Sequence, residues 1–330
     1  MITAENPIVS IIIVTYNSQD ELVACVNSIE EQSTPCEVFI IDNASVDSSP
    51  MIIGQLAVQF PGIHPILNNE NRGLAAANNQ PLGRCRGDYV LILNPDTILE
   101  RDTLSQLVDY LEQRPGVGIV GPRFYFEDGS PHTSYHYYWS FWNVLLWRTV
   151  PYVILRTLYD RFARYPETEV FFVSGACLMI RRELFEKLGG YDKTYFLCVE
   201  DAADLCLRGR KEGYSTVFYP KARIIHMTGR SREGINYFAR ILNYNGCLYY
   251  LRKHYGSAPS AGIWMVLLIT SFVKVWLNRM LALLFSSRRQ FVTIYALLVR
   301  DLLSGRLLRA DLSENVVQVV SDELALKTKR

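Results

Sequence analysis

Between Ile8 and Val14 the chain reads IVSIIIV, a nearly unbroken β-branched run of the kind that forms a strand buried on both faces of a parallel sheet. Ser18-Gln19-Asp20-Glu21 follows with capping-box spacing and predicts a helix to about Gln32, whose apolar positions Leu22, Val26 and Ile29 recur at helical spacing. The alternation continues with a strand over Glu37–Ile41, a helix over Ser48–Gln59, a short strand at Pro65–Leu67, a helix opening near Leu74 and a strand over Tyr89–Leu93. Strands alternating with helices predict βαβ units, hence an α/β fold with a mostly parallel, doubly wound sheet. Beyond Val117 the pattern is less regular. It predicts a strand over Phe171–Arg181 interrupted at Gly175-Ala176, a helix from Glu183 closed by Gly189-Gly190, a helix over Asp201–Gly213 and a strand over Ser215–Tyr219.

The last third changes character. Residues 261–285 are apolar, but the uninterrupted part is only about 13 residues, short of the ~20 that span a bilayer. Lys274, Asn278 and Arg279 fall on one side of the expected helix, which favours a helix lying in a membrane interface. Between residues 250 and 310, Arg252, Lys253, Lys274, Arg279, Arg288, Arg289, Arg300, Arg306 and Arg309 stand against the single acid Asp301, a balance suited to an anionic membrane surface. An ordinary helical domain, or a homo-oligomer interface, would use the same stripe. The aromatic stretch Tyr135–Trp147 reads as a substrate-covering loop or as a membrane-touching element. The pattern therefore divides the chain into residues 1–250, with halves 1–115 and 116–250, and a helical, basic and apolar extension over 251–330.

Composition narrows the class without naming it. The chain has 330 residues, of which 49% are hydrophobic and 20% charged, enough for a sizeable core. Its net charge of +1 gives no reason to expect nucleic acid as a partner. Seven cysteines form no C-x-x-C pair, so reduced thiols are expected. The opening Met1-Ile2-Thr3-Ala4-Glu5-Asn6 has neither the basic nor the apolar region of a signal peptide, which points to a cytoplasmic catalytic part.

Open α/β sheets bind ligands beyond the carboxyl ends of their strands. Here those ends carry Thr15-Tyr16-Asn17, Asp42-Asn43 and Asn94-Pro95-Asp96. The first turn contains no G-x-G-x-x-G, so a glycine-cradled dinucleotide is not expected. Asp42 is placed either to accept from the ring N–H of a uracil or thymine or to cap its own turn, and Asp47 and Ser45 lie in the same loop. Asp96 is placed to give one oxygen to Mg²⁺ or Mn²⁺ beside a nucleoside diphosphate, although Asn-Pro-Asp also forms turns. Glu200, Asp201 and Asp204 crowd one helix start; capping explains part of that density, and a general base for an acceptor hydroxyl explains the rest. Arg208 suits a pair with Asp204 one turn away. His226, after an apolar run, is either a structural histidine or a metal ligand.

Taken in order, these motifs resemble family 2 glycosyltransferases of the GT-A fold, over about residues 8 to 232. Val14-Thr15-Tyr16-Asn17 is similar to the family's opening. Asp42-Asn43-Ala44-Ser45-Val46-Asp47, Asn71-Arg72-Gly73-Leu74-Ala75-Ala76-Ala77-Asn78 and Leu93-Asn94-Pro95-Asp96 resemble a subgroup rich in rhamnosyltransferases. Gly175-Ala176, Asp204-Leu205-Cys206-Leu207-Arg208 and His226 continue the match. The resemblance implies that Asp42 reads the base and that Arg72 lies by the nucleotide or its diphosphate. Asp96 would hold the metal as the last residue of a D-x-D element, with His226 as a second ligand. Gly175 and Ala176 would line the acceptor side together with Asp204 and Arg208, and Asp201 would be the base. It further implies an inverting transfer from a dTDP-hexose such as dTDP-rhamnose to a polyprenyl-diphosphate-linked saccharide, in cell-surface polysaccharide or O-antigen synthesis at the inner face of the cell membrane.

Two features depart from the family pattern. Asn94 replaces the first acid of D-x-D. One extra alanine separates Asp201 from Asp204, and on a helix one residue turns a side chain by about 100°, which leaves Glu200 as a rival base. A UDP-sugar-dependent transferase, a nucleotidyltransferase and an inactive, membrane-associated assembly factor of the same fold are the competing readings.

Overall fold

A computed structural model describes residues 2–3, 5–136, 142, 166–196, 198–227, 237–285 and 288–305. Most of the aromatic stretch up to Trp147, and residues 306–330, lie outside them. The chain forms two compact units, one within Met1–Tyr138, Ala163–Lys193 and Asp201–Ser231, the other within Trp139–Phe162, Thr194–Glu200 and Arg232–Arg330.

In the first unit, β1 (Val9–Thr15), β2 (Cys36–Asp42), β3 (Ile63–Leu67) and β4 (Tyr89–Leu93) pair in parallel in the order β3-β2-β1-β4. Every residue of β1, β2 and β4 is buried, as their β-branched runs require for strands covered on both faces. The order reverses direction between β1 and β4, the place where such sheets open a crevice. Helices α1 (Leu22–Glu30), α2 (Ser49–Gln59) and the short α3 (Leu74–Asn78) make the connections. The predicted capping box does not form. Glu21 is the cap and makes no side-chain cap bond. The Gln19 N–H donates instead to Asp47 and the Ser18 N–H to Ser49, which leaves that turn tied to the next loop rather than to its own helix.

Beyond Leu93 the sheet becomes mixed. A short β5 (Thr97–Leu99) precedes α4 (Thr103–Glu112), and β6 (Val117–Tyr125) hairpins onto β7 (Pro131–His132). Two-residue strands β8 (Tyr135–His136), β9 (Thr168–Glu169) and β10 (Phe172–Val173) follow, then β11 (Cys177–Arg181). β11 runs antiparallel between β4 and β6, so Gly175-Ala176 does interrupt the expected strand. Then come α5 (Arg182–Lys187), α6 (Glu200–Lys211) and β12. β12 spans Ser215–His226, well past the expected end at Tyr219. A register shift at Pro220-Lys221-Ala222 absorbs the break in alternation, and the strand resumes against β6 and β5.

The second unit contains α7 (Tyr237–Tyr255), α8 (Ser257–Leu281) and α9 (Arg289–Leu303). α8 runs on past Lys274, where the uninterrupted apolar part ends, and inside it the Thr270 hydroxyl bonds back to the Val266 and Leu267 carbonyls. Among the described residues it is the one helix long and apolar enough to cross a membrane by length and composition.

Candidate active site

At the carboxyl end of β1, Thr15 is fully buried and donates its hydroxyl to Asp42 (3.2 Å) and to the Ile41 carbonyl. Tyr16, the next residue, is half exposed. Asn17 turns back with φ +55°, a conformation that asparagine tolerates, and its side-chain oxygen accepts the Val46 N–H at 2.9 Å. The other Asp42 oxygen accepts the Ser45 N–H at 2.9 Å. Partial burial raises the Asp47 pKa, but bonds from Ser49 and from the Gln19 N–H outweigh it and hold the carboxyl below its ordinary value. Asp42 and Asp47 are thus both acceptors that shape the loops at this strand end.

Asn43, expected beside a ligand, is at the centre of a side-chain network. Its side chain is buried, donates to Asn71 at 2.8 Å and accepts from Asn68 and from the Arg72 N–H at 3.1 Å. Asn68 and Gln80 close the network by exchanging two amide bonds of 2.8 and 2.9 Å. These bonds fix the 68–73 loop and leave the Arg72 side chain half exposed, with a long contact to the exposed Glu70. Asn68, Asn71 and Gln80 are contributors the strand-end pattern did not single out.

At the end of β4, the Asn94 N–H donates to the Ala176 carbonyl at 2.8 Å, which joins Asn94-Pro95-Asp96 to Gly175-Ala176. The chain then turns into β5, whose antiparallel pairing with β12 sets Thr97 opposite His226. His226 Nε2 lies 3.3 Å from Asp96 Oδ1. That oxygen is buried and makes no hydrogen bond among the described residues. A metal-bound histidine is usually oriented through its second ring nitrogen. Here Nδ1 has no hydrogen bond, and the ring is held by packing. Phe124 and His132 meet it edge to face, with centroids 5.8 and 5.2 Å away. His132, carried by β7, also packs on Phe126 and was not legible as a site residue. A carboxylate oxygen and an imidazole nitrogen that converge to 3.3 Å are a donor set that fits a divalent cation such as Mn²⁺, with remaining ligands left for phosphate and water.

Gly175 faces the start of α6. A Cβ added there would sit 3.9 Å from Asp201 Oδ1 and 3.5 Å from the Ala202 methyl, so the absent side chain leaves room directly beside the carboxylate. Asp201 is buried and accepts the Ala202 N–H. Nearby Tyr191 has its pKa pushed well up, by burial first and by the Asp201 charge second. Asn79 holds the Tyr191 backbone with a reciprocal pair of 2.8 Å bonds. Asp204 is fully buried and bonds Arg208 at 2.7 Å, while Arg208 also donates to the Leu188 and Gly190 carbonyls. That pair anchors α6 to the end of α5. Glu200, in the second unit, is turned toward α7, where a Cβ on Gly246 would lie 3.4 Å from its Oε2. The roughly 100° between adjacent helical residues separates Glu200 from Asp201 in this way.

The family model of glycosyl transferase family 2 matches residues 10–189, a span that runs from the second residue of β1 past β11 and holds every strand-end residue named so far except His226. The chain belongs to glycosyl transferase family 2. An N-acetylglucosaminyl-diphospho-decaprenol L-rhamnosyltransferase of Mycobacterium tuberculosis is 29% identical over 242 residues, 68% of this chain and 77% of that protein. The O-antigen biosynthesis protein RfbC of Myxococcus xanthus is 29% identical over 233 residues, 69% of this chain but only 18% of its own length. Among solved structures, a mannosyltransferase of Pyrobaculum calidifontis in complex with GDP-Man and Mn²⁺ superposes with a TM-score of 0.54 and 21% identity, over 92% of this chain and 88% of that one. This glycosyltransferase therefore has the GT-A fold and is rhamnosyltransferase-like in sequence.

Proposed function

We propose that this glycosyltransferase is metal-dependent and inverting. It moves a hexose, with L-rhamnose from dTDP-rhamnose as the leading donor, to a polyprenyl-diphosphate-linked saccharide. The work is done at the cytoplasmic face of the cell membrane, in assembly of a cell-surface polysaccharide or O-antigen. The observation that carries the reading is the buried, hydrogen-bond-free Asp96 oxygen opposite His226 at the end of β4. The Mycobacterium tuberculosis relative, named for L-rhamnosyl transfer to a lipid-linked sugar, supports the donor and acceptor classes.

In this reading Asp42 receives the ring N–H of the base and Arg72 reaches the diphosphate. Asp96 and His226 would hold Mg²⁺ or Mn²⁺, which would supply positive charge to the leaving nucleoside diphosphate. Asp201 takes the proton of the acceptor hydroxyl, whose oxygen attacks the anomeric carbon from the face opposite the diphosphate. The carbon–oxygen bond to the diphosphate breaks as the new glycosidic bond forms, and the anomeric configuration inverts. Gly175 keeps side-chain bulk away from Asp201 so that the acceptor can approach it.

The test is transfer and hydrolysis with dTDP-rhamnose, UDP-galactose, UDP-N-acetylglucosamine and GDP-mannose, each with Mg²⁺ or Mn²⁺ and a lipid-diphosphate-sugar acceptor. Turnover of dTDP-rhamnose is expected, with kcat lowered about a hundredfold or more in Asp201→Asn. Turnover of a UDP-sugar alone would discard the rhamnose donor and keep the reaction class. Nucleotide binding that ignores the metal would sink the metal-dependent mechanism.

A further inference from the structure

In water, a helix turns its apolar stripe inward and its polar side outward. α8 does the reverse. Ser260, Ser271 and Asn278 are buried beside Ile263 and Leu267, while Met265, Ile269, Phe272, Trp276, Leu277 and Met280 stand 44–60% exposed. Those exposed positions recur at spacings of three and four, so they form one continuous stripe along the helix. It continues past the helix end into Leu283, Leu284 and Phe285, exposed by 80%, 77% and 57%.

The rim of this surface is basic. At about 100° per residue, Arg279 sits just beyond Phe272 on one margin and Lys274 on the other. Arg279, Arg288 and Arg289 are exposed, and Lys274 lies over the Tyr295 ring of α9. Two copies joined through the stripe would bring these arginines together, a repulsive arrangement, whereas anionic headgroups would pair with them. Crossing the bilayer conflicts with the packing. α8 is flanked by α7 and α9, and Trp264 donates to the Leu302 carbonyl of α9 at 3.2 Å. α7 carries Arg252, Lys253 and His254 in its last turn, and α9 carries Arg300 and a buried Asp301. A spanning α8 would drag these charges into hydrocarbon.

We propose that the outward face of α8 and the 283–285 turn lie in the plane of an anionic bilayer, apolar side chains below the headgroups and arginines among them. The proposal deepens the reading of a membrane-borne acceptor and rests on it for its purpose. Its evidence is confined to the second unit, and so is its test.

The full chain would be floated with phosphatidylcholine vesicles, with or without phosphatidylglycerol, beside the double variants Phe272→Glu/Trp276→Glu and Arg288→Glu/Arg289→Glu. Wild type is expected to favour phosphatidylglycerol vesicles, less so at high salt. The first variant should bind at least tenfold more weakly with unchanged helicity and unchanged donor hydrolysis in solution, and the second should lose the preference for phosphatidylglycerol. Brominated lipids locate Trp276 through the quenching lost in Trp276→Phe: strongest quenching by bromines near the headgroups supports the in-plane helix, and strongest quenching by bromines at the chain ends overturns it. Absence of vesicle binding by wild type, or a first variant that binds equally well, refutes the proposal. A dimer in light scattering that the first variant abolishes, without vesicle binding, assigns the face to a second copy. Lack of donor hydrolysis with flotation intact would refute the transferase reading alone.

Discussion

Asp96 and His226 define what a single residue contributes here. A carboxylate that ends an apolar strand is legible in sequence, because the strand fixes where it must emerge. His226 was legible only through its place after the acidic cluster. His132 was not legible at all, since its relation to His226 exists only once β7 folds onto β6. With no hydrogen bond to its Nδ1, His226 relies on Phe124 and His132 for orientation. Calorimetric titration with Mn²⁺ and a nucleoside diphosphate should therefore show about tenfold weaker metal-dependent binding in His132→Ala, while His132→Phe, which keeps a ring, stays closer to wild type. Asp96→Ala should lose the metal dependence altogether. Equal affinity in His132→Ala and wild type would remove His132 from the site.

Elements decide which of the predicted groups meet. Within the parallel block β3-β2-β1-β4, the strands β1, β2 and β4 were readable because strands buried on both faces are largely apolar runs. β5 escaped because three residues carry no periodicity, and the second half of β12 because Pro220 breaks the alternation before the strand resumes. The amide network behind Arg72 escaped for another reason: side chains from the end of β2, the loop after β3 and the segment after α3 share it, and no local pattern relates them. Asn43→Ala should release that loop. The expected result is a KM for donor raised about tenfold with kcat changed little, as for a lost positioning contact that acts equally in ground and transition states. A matching fall in kcat with KM unchanged would show that the loop acts in the chemical step instead. At the end of α5, Gly190 has φ +75°, and an added Cβ would collide with the Asn79 amide that fixes Tyr191. Gly190→Ala should cost about 1–3 kcal/mol in urea unfolding, since both the backbone and the Asn79 bonds are disturbed.

Across the first unit as a whole, the two ends of the parallel strands have divided tasks. The carboxyl ends hold the groups proposed for catalysis, and the opposite end holds a buried charge cluster. Glu37 is fully buried near the start of β2, accepts from Ser10 and three times from Arg86, and lies 3.4 Å from His64. Burial alone would raise its pKa, but the Ser10 and Arg86 bonds reverse that and leave it below its ordinary 4.5. His64 is also depressed from 6.5, mainly by burial. Both groups therefore bind fewer protons folded than unfolded. Their stabilisation is complete above the ordinary values and is lost as pH falls, first below about 6.5 for His64 and then below about 4.5 for Glu37. Glu37→Gln should lower stability at neutral pH by about 1–3 kcal/mol and flatten the acid limb of the stability profile, with kcat little changed. An unaltered acid limb in urea titrations would show that other groups govern it.

The meeting of Asp96 with His226 also has a consequence in time. Asp96 leaves the ribosome with the first strands, whereas His226 arrives only after β12, and closing so long a loop is entropically costly until the β5–β12 ladder forms. Under the proposed mechanism a nascent chain assembles its first strands before the two groups can share a cation, so metal-dependent nucleotide binding is expected to start only when β12 has joined the sheet.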